Sequence, residues 1–105
     1  MNRIVMIEDN EDHALLIRRG VEESDCVVNH YRDGSEALQA FERISDCSEM
    51  PDLILLDLKL PGIDGFQVLE ALRKMKWFAD VPVVMLTTSS RKEEIEKAYQ
   101  LGASG

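Results

Sequence analysis

The sequence predicts an α/β domain built on a parallel sheet. Short apolar runs (Ile4–Ile7, Cys26–Tyr31, Leu53–Leu56 and Val83–Leu86) recur along the 105 residues. Each is bounded by turn residues, as strands buried on both faces are. The intervals between them are long enough for one helix each, and strands alternating with helices through short loops make a parallel sheet with right-handed crossovers. Three of these runs also end in polar groups: Glu8-Asp9, Asp57 and Thr87-Thr88. Chain reversals of this kind gather ligands at the C-terminal edge of a parallel sheet.

Taken in order, strand 1 is expected at Arg3–Glu8. Helix 1 follows, with Asn10 as N-cap and Glu11 and Asp12 in the first turn, where the helix dipole favours acids. Ala14, Ile17 and Val21 form its apolar stripe. Strand 2 is Cys26–Tyr31. Asp33-Gly34-Ser35 turns into helix 2, whose stripe is Ala37, Leu38, Phe41 and Ile44. Ser45–Pro51 is a polar connection to strand 3, Leu53–Asp57. A Pro/Gly loop leads to helix 3, about Gly65–Met75, with Val68, Leu69 and Leu72 inward. Strand 4 is Val81–Leu86. Helix 4 starts at a capping box, Ser90 with Glu93, and ends at Gly102, a good C′ residue.

Bulk properties narrow the function. The length suits one domain, residues 1–105, and 45% apolar residues suffice for a core. A net charge of −8 argues against nucleic acid as a direct partner. No run approaches a membrane span, and strand 1 begins at once, so neither membrane nor signal peptide is expected and the cytoplasm is the expected compartment. Cys26 and Cys47 lack a CxxC spacing and are expected to be reduced thiols. His13 and His30 have no second Cys or His at zinc-ligand spacing and are expected to be surface or helix-side residues.

Glu8, Asp9 and Asp57 are the first candidate site. Two like charges ~4 Å apart cost on the order of 4 kcal/mol near a protein surface, so three in one crevice call for a cation. Oxygen donors alone point to a hard ion, and Mg²⁺ fits best because it accepts a few carboxylates and completes its shell with water and phosphate. Solvated strand ends are the bland alternative. Thr87 directly follows a buried run, where its hydroxyl can bond a phosphoryl oxygen. For Thr88, Ser89 and Ser90 a helix-capping role is the simpler reading.

The combination of Glu8-Asp9, Asp57 followed by Pro61 and Gly65, and Thr87 after an apolar strand resembles the receiver domain of two-component response regulators. The resemblance spans the whole sequence. It implies a flavodoxin-like doubly wound parallel sheet, here cut to (βα)4, with strand order 2-1-3-4. It implies that Asp57 is the phospho-acceptor, that Glu8, Asp9, Asp57 and the backbone carbonyl of Lys59 hold Mg²⁺, and that Thr87 is the switch hydroxyl. It further implies a cytoplasmic signalling protein that catalyses its own phosphotransfer and dephosphorylation rather than a conventional enzyme. Its partner would be a sensor histidine kinase or a phosphorelay protein. Residues 57–65, the Leu86–Ser89 run and the residues around Cys47–Met50 are similar to stand-alone receivers that serve phytochrome kinases. Lys59 and Thr88 are the positions expected to modulate phosphate lifetime, Thr88 by hindering the attacking water.

The family continues with a fifth strand and helix, and a phosphate-binding lysine, beyond the position of Gly105. A piece of a longer protein or a deliberately shortened chain explains this most simply; if the chain truly ends there, strand 4 is expected to be an uncovered edge and one face of helix 1 exposed, which favours a dimer, a swapped assembly or a loosely packed state. Two other functions compete. One is a receiver-like interaction module that is never phosphorylated. The other is a haloacid-dehalogenase-type phosphohydrolase, disfavoured because that chemistry wants a second Asp where Lys59 stands.

Overall fold

The computed structural model describes residues 2–22, 25–58, 60, 62–86 and 100–102. Its elements, in chain order, are β1 (Asn2–Ile7), α1 (Glu11–Glu22), β2 (Cys26–Tyr31), α2 (Gly34–Glu42), a 3₁₀ turn (Cys47–Glu49), β3 (Leu53–Asp57), α3 (Gly65–Lys74) and β4 (Val83–Leu86). The strands form one sheet in the order β2-β1-β3-β4, and every pairing is parallel. This is the expected doubly wound, flavodoxin-like arrangement.

The strands alternate their side chains between two cores. Val5, Ile7, Ile54, Leu56 and Val83 face α2 and α3, where they bury Ala37, Phe41, Val68, Leu69 and Leu72. Ile4, Met6 and Leu55 face α1 and pack with Ala14, Ile17 and Val21. Full burial of one such large aliphatic or aromatic side chain stabilises the fold by about 1.5–3 kcal/mol. Leu15 and Leu16 of α1 are exposed. Among the described residues β4 pairs with β3 and with no other strand.

Among the described residues α1, α2 and α3 each start at a side-chain cap, following a strand at the C-terminal edge of the sheet. Asn10 Oδ1 accepts from the amides of Asp12 and His13 at 3.0 and 3.1 Å. Asp33 Oδ1 accepts from Glu36 N at 2.7 Å. At α3 the box is complete: Asp64 Oδ1 accepts from Gln67 N, and Gln67 Oε1 from Asp64 N, both at 2.9 Å. Such a cap contributes about 1 kcal/mol.

Four boundaries differ from the sequence expectation. β1 begins at Asn2 rather than Arg3 and ends at Ile7 rather than Glu8, although Glu8 N still donates to Tyr31 O at 3.0 Å. β4 begins at Val83 rather than Val81, because Pro82 has no amide hydrogen to offer a ladder. α3 stops at Lys74, where Met75 turns to extended backbone (ψ 134°). The polar connection before β3 holds the 3₁₀ turn, and Ile44 lies just past α2, still packed on the core.

Arg73, at the end of α3, spreads its guanidinium over main-chain oxygens. Nη1 donates to Phe78 O, Ala79 O and Val81 O at 2.9, 3.3 and 2.8 Å. Nε and Nη2 donate to Gly102 O at 3.2 and 2.6 Å. Gly102 has φ +101°, the left-handed backbone expected of a C′ glycine. The capping box at Ser90 and Glu93, and the start of helix 4, lie outside the described residues.

Candidate functional site

β1 and β3 are neighbours in register Ile7↔Leu56. The next residue on each strand is therefore an acid beside an acid: Glu8 next to Asp57. One carboxylate oxygen from each of Glu8, Asp9 and Asp57 lies within 4.8 Å of the others. Glu8 is buried (3% exposed), Asp57 half-buried and Asp9 exposed. The three acids thus line a pocket with a closed floor and an open mouth.

The electrostatics of the floor are unfavourable. Burial is the main cause that raises the pKa of Glu8. The Asn10 amide, which donates to Glu8 Oε1 at 3.1 Å, works against that rise. The Asp57 charge and a hydrogen bond between the two carboxyl groups push it up further, and His13 opposes weakly. A buried acid pressed against a second acid is relieved by a cation. An all-oxygen set fits a hard divalent ion such as Mg²⁺ better than zinc, whose protein sites are built mostly on Cys and His.

The main chain under the acids is held tightly. Gly65 N donates to Leu58 O at 2.9 Å, and a β-carbon on Gly65 would stand 2.4 Å from Asp57 O. Only glycine lets α3 begin against the end of β3 in this way. On the other side, the ring of His30 reaches the Glu8 carbonyl, with Nε2 2.6 Å from the oxygen. The sequence reading assigned no function to His30. Its signal was topological: His30 is the penultimate residue of β2, beside β1, and that adjacency is invisible before the strand order is known.

Leu86 pairs with Asp57, and Thr87 follows it in the chain. Thr87, Thr88 and Lys59 themselves lie outside the described residues.

The family model of the response regulator receiver domain matches residues 4–105. The chain belongs to this family. The receiver is 36% identical over 100 residues to the probable methanogenesis regulatory protein FilR2 of Methanothrix harundinacea, covering 91% of this chain and 64% of that protein. It is 37% identical over 103 residues to the alkaline phosphatase synthesis transcriptional regulatory protein PhoP of Bacillus subtilis, covering 96% of this chain and 39% of that protein. The receiver thus spans less than two thirds of the length of these curated relatives. Among solved structures it resembles the phosphorylated cyanobacterial phytochrome response regulator RcpA, with TM-score 0.88 and 34% identity over 98% of this chain and 76% of that one. The Mn²⁺-bound response regulator Rcp1 matches with TM-score 0.88 and 30% identity over 99% of this chain and 78% of that one. The bacteriophytochrome response regulator RtBRR matches with TM-score 0.82 and 34% identity over 100% of this chain and 67% of that one. Among the described residues no helix is long and apolar enough to cross a membrane.

Proposed function

We propose that this receiver accepts a phosphoryl group on Asp57 from a phosphohistidine of a sensor kinase or phosphorelay protein. The observation that carries the proposal is the convergence of three carboxylates on the ends of β1 and β3, with Asp57 half-buried between buried Glu8 and exposed Asp9. An Asp57 oxygen attacks phosphorus, the P–N bond to the donor imidazole breaks, and that nitrogen takes up a proton. Glu8, Asp9 and Asp57, with the backbone carbonyl of Lys59, hold Mg²⁺. The ion supplies charge neutralisation for the incoming phosphoryl oxygens. Glu8 contributes to the metal site as the ionised carboxylate. The product carries ~1.5–2 negative charges, which the Thr87 hydroxyl answers by moving toward the phosphoryl group, and the segment after β4 follows.

A Mn²⁺-bound and a phosphorylated structure among similar proteins support the metal and phosphoryl parts of this reading. Likeness to RcpA and RtBRR at 34% identity supports a phytochrome-type kinase as donor, and with such a donor goes a cytoplasmic location for the receiver. The test is intact-mass measurement after incubation with Mg²⁺ and acetyl phosphate, with circular dichroism to verify folding. Gain of one phosphoryl group, absent in Asp57→Ala, is expected. A folded sample that gains none would leave the interaction-module reading in its place.

A further inference from the structure

β2 ends at Tyr31, two residues before Asp33 caps α2. Its register with β1, Ile7↔Tyr31, carried one step further, sets Glu8 opposite Arg32. In a parallel ladder the Glu8 amide then bonds the carbonyl before Arg32, and it does so, on Tyr31 at 3.0 Å. The Glu8 carbonyl would look to the amide after Arg32, where the chain has already turned into the cap. His30 provides a hydrogen from its ring instead, with Nε2 2.6 Å from Glu8 O. A carbonyl oxygen only accepts, so Nε2 is the protonated nitrogen. The ring is half-buried and lines a groove of about 150 Å³ between α1 and β2, with Met6, Glu11, Ala14, Leu15 and Arg18.

We propose that His30 is a positioning residue for the acidic pocket. The peptide linking Glu8 to Asp9 is a rigid plane. The ring hydrogen bond on its oxygen therefore fixes the plane from which two of the three carboxylates depart. Asn10 N steadies the Glu8 carboxylate from above, and His30 steadies its main chain from the side. The inference rests on the metal-binding reading of the pocket and adds to it a residue that touches neither metal nor phosphate.

Mg²⁺ titration calorimetry at one fixed pH tests it on the full chain and on three variants. His30→Ala should weaken Mg²⁺ binding by about tenfold, as loss of an outer hydrogen-bond partner does at metal sites. His30→Gln, whose amide nitrogen offers a hydrogen at similar reach, should restore most of the affinity. His30→Phe, which fills the same space without a donor, should not. A packing role would give the reverse order of rescue. Long-range ¹H–¹⁵N NMR of the wild-type ring should show the Nε2–H tautomer, and an Nδ1–H tautomer would overturn the proposal even if every variant misfolds. Wild-type affinity retained in both His30→Ala and His30→Phe overturns this proposal alone. A folded wild type that binds no Mg²⁺ overturns the metal reading together with it.

Discussion

Gly65 and Asp57 are in main-chain contact: a β-carbon on Gly65 would meet the Asp57 carbonyl oxygen at 2.4 Å and Leu58 Cα at 2.8 Å. Both obstacles are backbone, so neither can rotate away. Gly65→Ala should push α3 off the end of β3, cost about 1–3 kcal/mol of stability, and weaken Mg²⁺ binding by displacing Asp57. Urea unfolding and Mg²⁺ calorimetry check both effects. Wild-type values in both would mean that the α3 start yields without strain.

Glu8 makes the pH dependence unusual. Its pKa in the fold lies above the ordinary carboxylate value, mainly through burial. The stability it confers is present below the ordinary value and is lost as pH rises through the raised one. Metal-free protein should therefore lose stability across that window. Mg²⁺ needs the ionised form, so its affinity should rise across the same window with release of a proton. Glu8→Gln should remove both trends, and melting curves with EDTA or with Mg²⁺ over a pH series would show it. A metal-free stability that climbs with pH across the window would contradict this assignment.

Arg73 holds four carbonyl groups, of which Phe78 O and Val81 O are bonded in part-buried surroundings and Ala79 O and Gly102 O in exposed ones. Arg73→Lys keeps the charge but not the planar fork. It should cost about 2 kcal/mol and speed amide exchange around residues 75–82. Exchange mass spectrometry locates the change, and uniform protection in the variant would mean that the fork is dispensable.

Thr88 follows the proposed switch hydroxyl. If its side chain screens the acyl phosphate from water, Thr88→Ala should hydrolyse faster, by several-fold, at unchanged phosphorylation stoichiometry. The decay of phosphorylated protein after donor removal measures this. Equal or slower decay in the variant would exclude the screening role.

Much of the fold was legible because burial on both faces leaves a plain mark in sequence. β2 and β3 fall where the apolar runs place them, and the strand order follows from the family resemblance. Glu8, Asp9 and Asp57 stood out as acids at strand ends, and the register of β1 with β3 brings them together. What escaped were features without periodicity. Phe78 sits in the loop after α3, yet it is almost fully buried and stacks on Phe41 with ring centroids 4.5 Å apart. The Asp64–Gln67 box escaped because Asp64 sits among the turn residues of a Pro/Gly loop, where an Asp is as well suited to a turn as to a cap. His30 was read as a lone histidine because its partner is a carbonyl, and carbonyls carry no letter in a sequence.

The Arg73 fork has a bearing on how such a surface can diverge. All its acceptors belong to peptide groups, so it is blind to the side chains that those residues carry. Phe78 must still fill the core, but Ala79, Asp80 and exposed Trp77 with its neighbour Lys76 can be exchanged without loosening the turn. A lineage could therefore rewrite this end of the molecule, acquiring or shedding a recognition epitope there, while the acidic pocket at the opposite edge of the sheet goes on unperturbed.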